Sequence, residues 1–373
     1  MSGADRPIAG ADLPYPGVRA QPIYSPPMNN GLPPYVEHGG DISGRHPAQA
    51  TNIRMFTFTI EASRHHIDEY CRRMFNEPSL GTQHWQAMGN YLLVNFIDIP
   101  SLKSADPAEK WLGIVAEREL AIWMPIVDVR HHRMAWAIPY IFVDSDMALV
   151  GGRETYGFPK QLGKITMPKT AIVPKTLSVD ALSLKTYGPT HVASQHEVLR
   201  IANPRVEEEP LVRTWTTPLA MMRDLALRAA RPSDDPHDLR IAEDILSLIK
   251  HPFDRLTNRV GEMAAGLMLA NQLSEANILM VFLKQFRDAE YTNSACYQAI
   301  VEVSNGVSGF AGGGLLPDGY DIDIADLATE PILRELGIRS NPQRSSVAFW
   351  LEFDFTIDMG RILYEAHAER HQI

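Results

Sequence analysis

At 373 residues, 45% apolar and 21% charged, the chain has the composition of a soluble globular protein with room for one large domain or two. Its net charge of −10 argues against nonspecific nucleic-acid binding, which draws on basic surface. No apolar run reaches membrane-span length, no secretory leader is legible, and Cys71 and Cys296 have no metal-type spacing, so a cytoplasmic protein with reduced thiols is expected.

Residues 1–50 are rich in proline and glycine and predict an extended arm, with Tyr15, Tyr24 and Tyr35 available for packing. A domain over residues 51–373 is expected to follow. Ile53–Ile60 reads as a strand, and Ala62–Phe75 as a helix with Ile67, Tyr70, Cys71 and Met74 on one face. Strands are predicted at Tyr91–Ile99, Leu112–Met124, Met134–Val143, Ile165–Val173, Leu177–Thr186 and His196–Ile201. Residues 205–275 break this rhythm. Thr217-Pro218 and Asp235-Pro236 place a capping residue before proline, and two apolar stripes follow, Leu219/Met222/Ala226 and Leu239/Ala242/Leu246/Ile249. A helical insertion is predicted there, with a third helix at Asp254–Ala270. Strands resume at Ala276–Leu283, Cys296–Val303, Tyr320–Leu327 and Val347–Phe355. Many short strands and few crossover helices predict a mainly β, α+β fold built on an antiparallel sheet or barrel.

One stretch carries chemistry, Gly151-Gly-Arg-Glu-Thr-Tyr-Gly-Phe-Pro-Lys-Gln-Leu-Gly163. Its lysine, Lys160, stands between Phe158-Pro159 and Gln161-Leu162, and such flanks favour desolvation, which disfavours the ammonium. A neutral amine can attack a carbonyl to form a Schiff base, an electron sink for a breaking C–C bond. Chemistry alone favours the plainer expectation of a turn with a surface lysine, since lysine is almost always exposed. The glycines predict tight turns, and Asp144 and Asp146 a turn before the motif.

Gly152-Arg-Glu-Thr-Tyr-Gly-Phe-Pro-Lys160 resembles the signature of the acetoacetate decarboxylase-like superfamily, in which Gly-Arg-Glu runs on to an aromatic-Pro-Lys-Lys. Weaker similarity covers about residues 50–200 and 275–373. The resemblance implies a cone-like antiparallel β-barrel with flanking helices, usually in a homo-oligomer. It implies that Lys160 is a Schiff-base nucleophile and that neither metal nor organic cofactor is needed, since the iminium is the electron sink. The family's second lysine is replaced by Gln161.

The family pattern further implies an arginine on the first strand, for which Arg54 is the candidate although displaced by one position, and a glutamate on the strand of Glu117 and Glu119, with Glu119 preferred. The family's earlier glutamate has no counterpart, Asn95 or its neighbours standing there. Tyr156, Phe158 and Gln161 flank the lysine as candidate substrate contacts. Arg153 and Glu154 read more simply as an internal ion pair. The pairs His65-His66 and His131-His132 point to different faces and read as surface or loop residues. No Rossmann, Walker or Gly-x-Ser-x-Gly fingerprint is present, and Gly312-Gly313-Gly314 reads as a loop.

The leading expectation is a Schiff-base lyase that decarboxylates a 3-oxo acid through Lys160. The alternative keeps Lys160 in an aldolase or dehydratase acting on pyruvate or another 2-oxo acid, which the missing second lysine and earlier glutamate favour. A third is a non-catalytic binding protein on the same barrel.

Overall fold

The computed structural model describes residues 46–106, 113–229 and 258–366, and the side chains of all of these but Ala229 and residues 258–264. The expected arm before His46 and the Leu239–Ile249 stripe lie outside the described residues.

Seven strands close into a ring: β1 (Ala48–Glu61), β3 (Tyr91–Ser104), β4 (Val115–Asp128), β5 (Arg133–Val143), β9 (Asn277–Arg287), β10 (Ala295–Leu315) and β13 (Ala348–Ile357), with β4 paired to β5 to complete the circuit. Short β2 (Trp85–Ala87) pairs with β4, and β14 (Arg361–Ala366) with β10. From β5 the sheet continues outward through β6 (Lys160–Thr166), β7 (Thr176–Ser183), β8 (Ser194–Ala202), β11 (Asp321–Ile324) and β12 (Gln343–Arg344).

The expectation of an antiparallel sheet needs correction at β5. Its pairings with β6 and with β9 are both parallel, so the sheet is mixed. Parallel neighbours cannot be joined by a hairpin and need a crossover. The crossover from β5 to β6 is helix α2 (Asp146–Tyr156), which occupies the stretch expected to be turns. β6 accordingly begins at Lys160 rather than near Ile165, and Gly163 lets it approach β5 and β7: a Cβ there would lie 2.9 Å from Val179 and 3.1 Å from Phe142. Gly312–Gly314 are strand rather than loop. They lie inside β10, where a Cβ on Gly313 would meet the Trp350 carbonyl at 2.5 Å.

Alternation along the ring strands divides the apolar residues between two cores. Phe56, Phe58, Leu92, Val94, Leu120 and Ile122 pack on one face with the outer strands and with helix α1 (Arg64–Cys71), which runs on into a π-helical turn at Arg72–Asn76. Ile53, Met55, Leu93, Ile97, Trp123, Trp136, Met280, Val303 and Phe353, drawn from all seven ring strands, pack together on the other. Two helices join this second core, α3 (Pro218–Ala229) and α4 (Asn258–Ser274). The buried stripe of α3 is Met221/Met222/Leu225/Ala226, whereas Leu219, expected in it, is exposed. Trp136 Nε1 donates to Gln272 Oε1 of α4 at 2.8 Å, which fixes that helix on the ring. A short helix, α5 (Ile332–Leu336), packs with the outer core.

Candidate active site

Helix α2 and its exit place Lys160. Ser145 caps the helix by accepting from the Ala148 amide, and Asp146 favours the same end through the helix dipole. Gly157 ends it at φ 82°, where the amides of Gly157 and Phe158 close on the carbonyls of Arg153 and Gly152. Glycine is required twice. A Cβ on Gly157 would lie 2.5 Å from Lys284 Cα on β9, and one on Gly152 would lie 3.0 Å from Lys160 Cδ. Pro159 follows, and Lys160 opens β6 opposite Ile141, with Arg153 donating to its carbonyl oxygen at 3.0 Å. Arg153 thus holds the lysine backbone.

The Lys160 side chain ends in a cavity of about 50 Å³. Ile97, Ile99, Trp123, Ile138, Ile141, Ile278 and Met280 form most of its walls, with Phe353, Phe355 and Ile357 from β13. Its polar groups are Lys160, Glu117, Glu119 and Asn305. Lys160, Glu117 and Glu119 are only 6%, 5% and 8% exposed, so the charge cluster is removed from solvent. Lys160 Nζ lies 3.4 Å from Glu117 Oε2 and 5.6 Å from the centre of the Phe158 ring.

Glu117 and Glu119 share a strand face, and the intervening Arg118 points away to Asp98 at 3.1 Å. Asp144, just after β5, accepts from the Arg118 amide at 2.7 Å and donates its own amide back, locking β4 to the start of the motif. Burial pushes the Glu119 carboxyl up to about 7; Lys160 opposes that rise and Glu117 adds to it. A carboxyl poised there can give or take a proton near neutrality.

The other expected residues divide. Phe158 lines the cavity and, with Ile138, also an outer cleft of about 470 Å³ that includes Arg153, Pro159 and Phe282, so its ring stands between the two. Tyr156 is buried outside the cavity lining, donating to the Asp358 carbonyl at 2.7 Å. Gln161 is next to Lys160 on an extended strand, hence on its opposite face, and is not in the lining. Arg54 is not brought to the cavity. It alternates with the inward Ile53 and Met55 and pairs with Glu352 at 3.0 Å, the face reversal that a one-position displacement on a strand produces.

Residues remote in sequence complete the surroundings. Asn305 reaches the cavity from β10 and donates to the Ile278 carbonyl at 3.2 Å. His46 packs its ring edge against Tyr156 at 4.7 Å; burial, assisted by the nearby Lys160 charge, lowers its pKa to about 4. Asn95 is buried on β3 and accepts from Thr57 at 2.8 Å. No local pattern announced Asn305 or His46; the fold alone brings them to the cavity's surroundings. Of the histidine pairs, His131 bonds Asp128 at 2.7 Å, and His65 and His66 stack edge to face. Among the described residues no helix is long and apolar enough to cross a membrane.

Comparison with known proteins follows the same lines. The family model described as acetoacetate decarboxylase matches residues 95–223. No curated protein sequence matches the chain. Among solved structures, the enduracididine biosynthesis enzyme MppR with HEPES bound is 13% identical at TM-score 0.51, covering 93% of this chain and 98% of its own. A structure of acetoacetate decarboxylase is 11% identical at TM-score 0.50, covering 88% and 93%. The acetoacetate decarboxylase from Legionella pneumophila is 14% identical at TM-score 0.49, covering 95% and 94%. Over residues 95–223, the stretch that holds Glu117, Glu119 and Lys160, the chain is similar to the acetoacetate decarboxylase family in sequence, and its fold is that of the acetoacetate decarboxylase-like proteins.

Proposed function

We propose that the protein is a carbon–carbon lyase in which Lys160 forms a Schiff base with a small carbonyl substrate. The observation that carries this is the Lys160 amine in an apolar cavity, 3.4 Å from Glu117 and facing a second carboxyl that titrates near 7. Glu117 takes a proton from the ammonium, freeing the lone pair. Glu119 protonates the carbinolamine hydroxyl so that it leaves as water, and the Glu119 carboxylate so formed is the counterion of the iminium.

Two reactions start from that iminium. Decarboxylation of a 3-oxo acid, the first implied by the sequence resemblance, needs a group to hold the substrate carboxylate, and Arg54 lies on the wrong face of β1 to do so. Aldol cleavage or dehydration needs a group that exchanges protons with the substrate, and Glu119 is suited to that. The aldolase or dehydratase class is therefore the reading supported best. Borohydride reduction in the presence of small carbonyl compounds, followed by peptide mapping, tests the proposal. A stable adduct on Lys160, absent from Lys160→Met, is expected; a folded protein that yields no adduct on Lys160 with any such compound would refute it.

A further inference from the structure

The charges in the cavity bear on the substrate, given the Schiff-base reading of Lys160. Two carboxyl groups and one amine face one another inside apolar walls. With Glu119 protonated, the Lys160–Glu117 pair is neutral in sum; with Glu119 ionised, the cavity is negative. A substrate carboxylate would enter as a third acidic group, next to two that already share one cation. Placing a like charge in a poorly solvated site costs far more than the same approach in water. The cavity of about 50 Å³ also limits the reacting end to a small group.

We infer that Lys160 receives a small uncharged carbonyl compound, an aldehyde or ketone with no carboxylate on or next to the reacting carbon. The chemistry balances without loss of carbon dioxide. The amine attacks the carbonyl carbon, and the hydroxyl of the carbinolamine leaves as water with the Glu119 proton, giving the iminium. Glu119, now a carboxylate, takes the proton of the substrate's β-hydroxyl. The bond between the α- and β-carbons breaks: the β-carbon departs as a carbonyl, and the bonding pair forms the enamine double bond as the iminium π electrons settle on nitrogen. Glu119 returns its proton to the α-carbon; solvent water then adds to the iminium, giving up a proton to the Glu119 carboxylate, and the carbinolamine collapses to the ketone and the Lys160 amine. Every proton removed by Glu119 is returned, and no oxidant or reductant is consumed.

The test uses matched pairs that differ in charge but hardly in size: pyruvamide against pyruvate, and acetoacetamide against acetoacetate. Each is incubated with the full-length protein at pH 7 and reduced with borohydride, and the Lys160 adduct is quantified by peptide mapping. Rates are divided by the rate of the same compound with N-acetyl-lysine methyl ester, which removes intrinsic differences in carbonyl reactivity. The amides are expected to label Lys160 at least about tenfold faster than the acids, a difference equivalent to roughly 1.4 kcal/mol. Glu119→Gln removes one acidic group with little change of shape, and should narrow that ratio by raising labelling with the acids relative to the amides. Equal or faster labelling by pyruvate or acetoacetate in the unmodified protein would overturn the inference while leaving the Schiff base standing. Absence of any Lys160 adduct from all four compounds, in protein with an intact unfolding transition, would overturn the Schiff base itself and the inference with it.

Discussion

Gly152 and Lys160 fit together so closely that a Cβ on the glycine would stand 3.0 Å from Lys160 Cδ and 3.1 Å from its Cε. The glycine lies within helix α2, at φ values any residue adopts, so space rather than backbone freedom selects it. Its missing side chain is the room in which the lysine stem runs toward the cavity.

Gly152→Ala should therefore act on the nucleophile more than on the fold. The added methyl also meets Phe158 Cδ2 at 2.9 Å, and overpacking of this kind costs about 1–3 kcal/mol, partly offset by the better helix propensity of alanine. Lys160 adduct formation should fall by about tenfold or more, since a displaced reacting group loses orientation. Adduct rate and thermal unfolding, measured on the same preparation, check the two effects; an unchanged adduct rate would show that the stem is free to move.

Glu119 should set the pH dependence. In its acid form it protonates the departing hydroxyl, so Schiff-base formation is expected to decline as pH rises through about 7. Glu119→Gln should flatten that limb and slow the reaction by about a hundredfold. As a stability contribution the sign is the same: the folded protein holds this proton more tightly than the unfolded chain, whose carboxyl titrates near 4.5, so the contribution is full below that value and lost as pH rises through about 7. A rate profile for Glu119→Gln with the wild-type inflection would assign the titration to another group.

Arg54→Ala should leave chemistry at Lys160 intact. The arginine bonds Glu352 through two nitrogens on the face away from the cavity, and a partly exposed pair contributes about 1 kcal/mol or less. Adduct yield within about twofold of wild type, with a small drop in unfolding temperature, is the expected result. A loss of about tenfold or more in substrate capture, with stability unchanged, would place the arginine in the site after all.

The lysine motif was legible because its residues act within one short segment. Gly152, Gly157 and Lys160 are close in the chain as well as in space, so a local pattern carries the packing. Its helical form was not legible, since two adjacent glycines and a third five residues on read as turns, and the crossover they build is demanded only by the parallel pairing of β5 and β6. Glu117 and Glu119 were both named because strand alternation puts them on one face; that the face is the inner one follows from pairing with β3 and β5, between residues 18–24 positions apart. The same alternation misled at Arg54, where one position decides the face. Asn305 and His46 lie more than a hundred residues from Lys160, and nothing near them in sequence signals the cavity.

The most direct test of the central claim is oxygen exchange from ¹⁸O-labelled acetone in ordinary water, followed by mass spectrometry without any trapping reagent. Every round of Schiff-base formation and hydrolysis replaces the carbonyl oxygen, whether or not a carbon–carbon bond breaks afterwards. The unmodified protein should accelerate loss of label well above the buffer rate, and Lys160→Met, which keeps a side chain of similar length without an amine, should return it to that rate. Accelerated exchange that persists undiminished in folded Lys160→Met would contradict the assignment of Lys160 as the nucleophile.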